Sequence, residues 1–149
     1  MGGEPYYYVV PYQKDIGAAL QALRRREFEA GRYNPVVPFL SDYFPLGPQS
    51  PAPGRQHESI EEALEASDAG GTRSILDIEA VSDTPGFGVA VRLPDDTLTR
   101  LYGTPRPSRA QVEAAMDFLD DIERGHAVYV VLYDGDTPSE ILFAGYSYD

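Results

Sequence analysis

The chain has 149 residues, no cysteine, and 24 acidic against 12 basic side chains, which gives a formal net charge of −12 at pH 7. The absence of cysteine excludes disulfides, thiolate metal sites and cysteine nucleophiles. An acidic surface disfavours nucleic acid and anionic membranes, because their phosphates need basic side chains. No apolar run approaches the roughly 20 residues of a membrane span, and the N-terminal residues carry no secretory signal pattern. We therefore expect one cytoplasmic globular domain over residues 1–149, without membrane association.

The first predicted elements are a strand and a helix. The continuous apolar and aromatic run at residues 5–12 predicts a strand, which Pro11 stops. A helix is predicted over residues 15–31, with Asp15 as its N-cap and Gly31 as its C-terminal stop. Glu27 projects near the middle of the apolar stripe of this helix. Buried there, it would be suited to general acid or base chemistry; otherwise it faces water or pairs with a neighbouring arginine.

A long connection follows at residues 32–58 and holds six of the thirteen prolines. Connections of this length are uncommon in compact domains unless they are functional or mobile. The first part, 33–46, is expected to pack, with Phe39 and Phe44 in apolar pockets. The second part, 47–56, is expected to be mobile and accessible to proteases.

The middle of the chain predicts a second helix and three strands. Ser59 and Glu62 form a capping box that starts the helix, which closes at residues 69–71. Alternating apolar residues predict strands at 74–81, at 86–93 and, more weakly, at 97–103. The strand at 86–93 is expected to point four side chains inward: Phe87, Val89, Val91 and Leu93.

The clearest predicted element is a third helix from Ser108 to Gly125, with a capping box completed by Gln111. Its apolar stripe consists of Val112, Ala115, Phe118, Leu119 and Ile122. Its opposite stripe carries four acids: Glu113, Asp117, Asp120 and Asp121. Two of these acids would lie in the last turn, where the helix dipole disfavours negative charge by about 0.3–1 kcal/mol each. Selection for a basic partner would explain this placement, and so would simple tolerance.

Two strands are predicted at the C-terminus, at residues 126–133 and 140–148, joined by the turn sequence DGDTPS. Both strands are apolar on both faces. The predicted core face holds Val128, Val130, Leu132, Ile141 and Phe143. The opposite face holds Tyr129, Val131, Tyr133, Leu142, Tyr146 and Tyr148. This second face needs a cover, which is the proline-rich connection, more core, or a partner protein.

The order of elements predicts an α+β fold. Neighbouring strands joined by tight turns favour a mostly antiparallel sheet of five to six strands, with two to three helices packed on one face. The order has some likeness to a ferredoxin-like β-α-β-β-α-β core with insertions.

The sequence contains no phosphate-binding loop, no complete dinucleotide fingerprint and no nucleophile elbow, so no cofactor is predicted. Neither His57 nor His126 has the spacing of a zinc site. Glu123 and His126 have the spacing of a di-iron helix motif, but Gly125 between them should break the helix, and no second motif exists. No metal site is predicted.

Two sets of carboxylates keep an enzymatic alternative open. Asp77 and Glu79 share one face of a predicted strand, where they would flank a substrate or simply form the wet side of the sheet. Together with Glu27 they suggest a small carboxylate-using hydrolase, with a cleft beside the long connection.

The favoured prediction is an acidic protein-binding domain that recognises a cationic protein. Analogy with acidic, cysteine-free inhibitors suggests an immunity or antitoxin-type inhibitor of a basic toxin or nuclease. Arginine outnumbers lysine eleven to one, which indicates a GC-rich bacterial genome. A structural or ligand-binding accessory domain is a further alternative. The expected partner-binding residues combine the acidic stripe with tyrosines: Glu113, Asp117, Asp120, Asp121, Tyr129, Tyr133, Tyr146 and Tyr148.

Overall fold

A computed structural model describes residues 5–67 and 71–147 of the chain. The strands are β1 (Pro5–Pro11), β2 (Ala80–Val81), β3 (Val89–Arg92), β4 (Ala127–Asp134) and β5 (Thr137–Tyr146). The α-helices are α1 (Ile16–Ala30), α2 (Ile60–Ser67), α3 (Asp95–Tyr102) and α4 (Arg109–Ala114). Short 3-10 helices lie at Leu40–Tyr43, Ile75–Asp77 and Asp117–Asp121. Within the described residues, no helix combines the length and the apolarity needed to cross a bilayer.

The strands form one five-stranded mixed sheet in the order β1-β5-β4-β3-β2. Strand β5 runs antiparallel to β1 and β4, whereas β3 runs parallel to β4 and β2. The α+β class is therefore confirmed, but the prediction of a mostly antiparallel sheet is wrong and a ferredoxin-like core is not confirmed. The physical reason is that α3 and α4 lie between β3 and β4 in the chain, and a helical crossover brings the next strand back in parallel.

Helices cover both faces of the sheet, not one face as predicted. On one side α1 packs with Tyr6 and Tyr8 of β1 and with Ile141 and Phe143 of β5. On the other side α3, α4 and the 3-10 helix Asp117–Asp121 pack against the opposite face through a second cluster: Leu98, Val112, Phe118, Val130, Leu132 and Leu142. Both faces of β4 and β5 are apolar because both are buried in this way.

The pairing of β4 with β5 changes the predicted faces of the hairpin. Tyr129 lies opposite Phe143, and Val130 lies opposite Leu142. Leu142 therefore shares a face with Val130, whereas Phe143 lies on the other face with Tyr129. The predicted grouping was wrong because a shift of one residue moves every side chain of a strand to the opposite face.

The ends of α1 follow the predicted caps. The Asp15 side chain accepts a hydrogen bond from the Ala18 N–H at 3.0 Å, and Gly31 closes the helix with φ 75°. The Gly54 N–H donates to the Ala30 carbonyl at 2.9 Å, and a Cβ atom at Gly31 would lie 2.3 Å from the Gly54 oxygen. Part of the segment that we expected to be mobile is thus hydrogen-bonded to the end of α1.

The first part of the long connection packs in a different way from the prediction. Phe44 does pack, with its ring centroid 5.2 Å from that of Tyr8. Phe39, however, is 61% exposed, so its assignment to an apolar pocket is wrong. Val37 and Leu40 are buried in its place.

The predicted strand at 97–103 is instead the helix α3. Asp95 and Asp96 lie in its first turn, where negative charge is favourable, and Gly103 ends it with φ 77°. Leu98, Leu101 and Tyr102 have the i, i+3, i+4 spacing of a helix and pack into the same cluster.

The strand predicted at 86–93 is shorter than expected and begins at Val89. Phe87 is 63% exposed, so its inward orientation was wrong. Most of the strand predicted at 74–81 is a 3-10 helix followed by the two-residue β2. The predicted second helix is confirmed as α2; of its predicted closing residues 69–71, residues 69 and 70 lie outside the described residues.

The predicted third helix is divided into two pieces. The capping box of Ser108 and Gln111 starts α4 as predicted, but the backbone leaves the helical region at Ala115, with φ −151° and ψ 89°. The Tyr102 hydroxyl donates to the Ala115 carbonyl at 2.5 Å. Asp117 and Asp120 consequently lie in the first turn of a separate 3-10 helix. Because α4 ends at Ala114, the expected conflict of Asp120 and Asp121 with the C-terminus of an α-helix does not arise.

Candidate functional site

An exposed acidic segment follows the break after α4. It contains Asp117, Asp120, Asp121 and Glu123 without any basic residue, and all four side chains are exposed. We call residues 117–123 the acidic turn. Among the described residues, its three aspartates form no ion pair, whereas the Glu123 Oε2 atom lies 3.5 Å from the Nε2 atom of His126. The three aspartates of the acidic turn therefore present negative charge that no basic side chain among the described residues pairs with.

Glu113 does not belong to the acidic turn, although it was predicted to share one stripe with it. The Glu113 carboxylate is half-buried, receives a hydrogen bond from Arg109 Nε at 3.0 Å and another from the Tyr7 hydroxyl at 3.2 Å. Burial and the neighbouring Glu113 raise the pKa of Tyr7. The break after α4 separates this paired glutamate from the unpaired aspartates.

An apolar groove of about 360 Å³ lies beside the acidic turn. Its apolar lining comes from β3, β4, the 3-10 helix and the residues directly after β3 and after the 3-10 helix: Val91, Leu93, Phe118, Ile122 and Val128. Its polar lining includes two acids of the turn and two potential cations: Asp121, Glu123, Arg100 and His126. Such a groove can contact an apolar group and charged groups at the same time.

The exposed Phe87 packs against Gly125, which precedes the groove residue His126 in the chain. Its ring packs so closely over Gly125 that a Cβ atom there would lie 2.3 Å from the ring. Gly125 also has φ 78°, a conformation that favours glycine, and its carbonyl accepts a hydrogen bond from the Gly88 N–H at 2.8 Å. These contacts hold the Phe87 ring over the residue that precedes His126 in the chain, and His126 lines the groove.

The predicted tyrosines do not form one surface. Tyr129 packs in the cluster on the α1 side, with its ring centroid 6.1 Å from that of Phe143. The alternation along β5 places the half-buried Tyr146 on the opposite face. The Arg106 guanidinium lies 5.8 Å from the ring centroid of Tyr133. Tyr148 lies outside the described residues.

Glu27 is fully buried and paired, which combines two outcomes that the sequence had left as alternatives. Arg32 donates to both of its oxygens at 2.8 Å, through Nε and Nη2, and Arg26 Nε donates at 2.9 Å. Burial, and secondarily the charge of Glu27, raises the pKa of Tyr8 strongly. With no exposed surface, Glu27 is not available to a substrate in this conformation.

Asp77 and Glu79 are not brought together on one face. Asp77 is buried, and its Oδ1 accepts hydrogen bonds from the Thr72 N–H and hydroxyl at 2.8 Å. Glu79 is exposed and lines a different cavity, between α1 and α2. The 3-10 helix at Ile75–Asp77 destroys the strand alternation on which the predicted pair depended.

The sequence did not indicate that Arg100 and His126 line one groove. His126 was interpreted as a polar residue at a strand start, and Arg100 lay in a segment predicted as a strand.

No group of three or more His, Asp or Glu side chains in the described part of the chain could hold a metal ion. Comparisons of the chain with protein-family models, with curated proteins and with solved structures find no match.

Proposed function

We propose that the chain is an acidic protein-binding domain, and that the acidic turn together with the adjacent apolar groove receives a cationic protein. The observation that carries this proposal is the position of exposed aspartates without a basic partner at the edge of a groove. Exposed carboxylates of this kind attract a basic surface and accelerate its encounter with the domain.

The composition of the groove supports a partner that presents lysine or arginine. These side chains have apolar stems and charged ends. The apolar residues that line the groove would pack against such a stem, and Asp121 and Glu123 would face its charged end. The exposed Phe87, which packs on the residue before His126, offers a ring for apolar or cation–π contact.

The most concrete form of this proposal is an immunity or antitoxin-type inhibitor. Nucleases and many toxins that act on nucleic acid carry basic surfaces, because they bind phosphates. An acidic domain that covers such a surface would block access of the substrate. This step rests on analogy between classes of protein.

The test is a double charge reversal, Asp117→Lys with Asp121→Lys, in the full chain. A matched control, Glu61→Lys with Glu65→Lys, makes the same charge change at the same spacing on α2. Proteins retained from a lysate of the source organism by the parent and the control, but not by the acidic-turn variant, are then purified and their Kd measured. We expect the acidic-turn variant to bind at least about a hundredfold more weakly than the control.

Salt provides a second readout for the purified partner. Association should slow steeply with rising ionic strength, because steering between exposed charges is screened beyond a Debye length of about 8 Å at physiological salt. Equal affinity of the acidic-turn variant and the parent would refute the proposal. The aspartates would then be only a solvated surface.

A further inference from the structure

A separate cavity, of about 260 Å³, lies along the β1 strand, apart from the acidic turn, its groove and the cavity between α1 and α2. Three arginines line it: Arg26, Arg32 and Arg109. Within the part of the chain that the structure describes, no carboxylate lines this cavity. In a chain with twice as many acids as bases, this local excess of guanidinium groups runs against the overall charge. We call the cavity the arginine pocket.

Two of the guanidinium groups are oriented from behind by Glu27. The carboxylate is fully buried and accepts hydrogen bonds from Arg32 Nε and Nη2 and from Arg26 Nε. Two positive charges share this single negative charge, so this wall of the pocket keeps a net positive charge. Among the described residues, no hydrogen bond uses the two terminal amino groups of Arg26 or the Nη1 group of Arg32.

Arg109 stands at the start of α4 and is oriented in a similar way. Its Nε donates to Glu113 at 3.0 Å and its Nη1 donates to Glu140 at 3.1 Å. These two carboxylates exceed its single positive charge, but they do not line the pocket, and the described contacts do not use its Nη2. Guanidinium groups that are held in this way lose little side-chain entropy when they bind an anion.

We propose that the arginine pocket binds the phosphate group of a small organic phosphate monoester. The guanidinium donors come from three separate parts of the chain: α1, the segment after α1, and α4. The three terminal oxygens of a tetrahedral phosphate match such a set better than the two coplanar oxygens of a carboxylate. Val9 and Leu46 also line the pocket and offer apolar contact to the organic part of the ligand.

The test uses phenyl phosphate as the probe, with benzoate as a carboxylate of similar shape and inorganic phosphate as the group alone, all at constant ionic strength. Titrations are followed through the arginine Nε–Hε and backbone NMR resonances. We expect saturable binding of phenyl phosphate with a Kd below about 1 mM. Shifts should be confined to Arg26, Arg32, Arg109 and the backbone of residues 7–9 and 45–47. Inorganic phosphate should bind more weakly at the same residues, and benzoate at least about tenfold more weakly.

Matched variants separate the pocket from general attraction to positive charge. Arg26→Gln and Arg109→Gln should each weaken binding of phenyl phosphate by about tenfold or more. Arg25→Gln removes the same charge from the same helix, but Arg25 lines the cavity between α1 and α2. The affinity of this variant for phenyl phosphate should therefore equal that of the parent. Thermal unfolding verifies that each variant is folded.

Several outcomes would overturn the proposal. They are the absence of saturable shifts at about 10 mM phenyl phosphate, equal binding of benzoate, or equal weakening by Arg25→Gln and Arg26→Gln. None of these outcomes bears on the cationic protein partner, because the acidic turn contributes no residue to the arginine pocket.

Discussion

Glu27 and the aspartates of the acidic turn lie on opposite sides of the sheet and differ in burial and pairing. On the α1 side, Glu27 is fully buried and receives three hydrogen bonds from two arginines. On the α3 and α4 side, the aspartates of the acidic turn are exposed, and none of the ion pairs found among described residues involves them. A buried carboxylate without a partner is costly, whereas an exposed one is hydrated by water. Burial, more than the number of acids, therefore distinguishes the structural carboxylates from those available to a partner.

The largest expected effect comes from removing a partner of the buried carboxylate. Arg32→Met should lower the free energy of unfolding by about 3 kcal/mol, because it leaves Glu27 buried with Arg26 as its remaining cation. Urea denaturation of the variant and the parent measures this loss. Arg25→Met is the control, since Arg25 is exposed on the same helix, and it should change stability by less than about 0.5 kcal/mol.

A double variant tests whether pairing is the cause. Glu27→Gln combined with Arg32→Met should be more stable than Arg32→Met alone, because no uncompensated charge is left in the interior. If the double variant is no more stable than the single one, the loss reflects packing of the Arg32 stem and not the charge of Glu27.

Features that depend on residues close together in the sequence were predicted, whereas the end of α4 was not. The caps of α1 and the start of α4 were predicted, because a capping interaction spans only three residues of sequence. The exposure of Asp117, Asp120 and Asp121 was also predicted, since it follows from their alternation with apolar residues. The end of α4 was not, because it involves the contact between Tyr102 and Ala115, thirteen residues apart.

Contacts between residues that are far apart in the sequence were not predicted. The Tyr7 hydroxyl bonds to Glu113 across 106 residues of sequence, so the separation of Glu113 from the acidic turn had no local signal. The faces of the hairpin depend on register, which is shifted by an irregularity between Leu132 and Tyr133 and by a turn tighter than the DGDTPS segment suggested. A register of this kind depends on turn geometry, which the turn sequence alone left undetermined.

A smaller effect is expected at alkaline pH, from a tyrosine beside the acidic turn. Burial, and then the charge of Asp117, raises the pKa of Tyr102 to about 12 in the folded protein. The unfolded tyrosine titrates near 10. Its contribution to stability is therefore fully present below about pH 10 and is lost as the pH rises through about 12.

Urea denaturation at about pH 9 and about pH 11.5 measures this loss. Tyr102→Phe should reduce stability at pH 9, through loss of the hydrogen bond to Ala115, and should show a smaller further decrease at pH 11.5 than the parent. The burial that raises the pKa of Tyr6 and Tyr8 on the α1 side leaves a residual alkaline loss in both proteins. An identical decrease in the parent and in Tyr102→Phe would show that Tyr102 does not contribute to the pH dependence.

The smallest expected effect on stability comes from substituting exposed aspartates of the acidic turn. Asp117→Lys with Asp121→Lys should change the free energy of unfolding by less than about 1 kcal/mol. Lysine at position 117 is unfavourable at the start of the 3-10 helix, where negative charge is favoured. The reversal also reduces the net charge from −12 to −8, which weakens self-repulsion and acts in the opposite direction. Denaturation at low and at high salt separates these two electrostatic contributions, which salt screens, from the packing of Phe118, which salt leaves unchanged. A loss comparable to that of Arg32→Met, and insensitive to salt, would mean that these aspartates support the fold. The contrast between the two sides of the sheet would then be one of degree, and loss of partner binding in the same variant would no longer identify a contact surface.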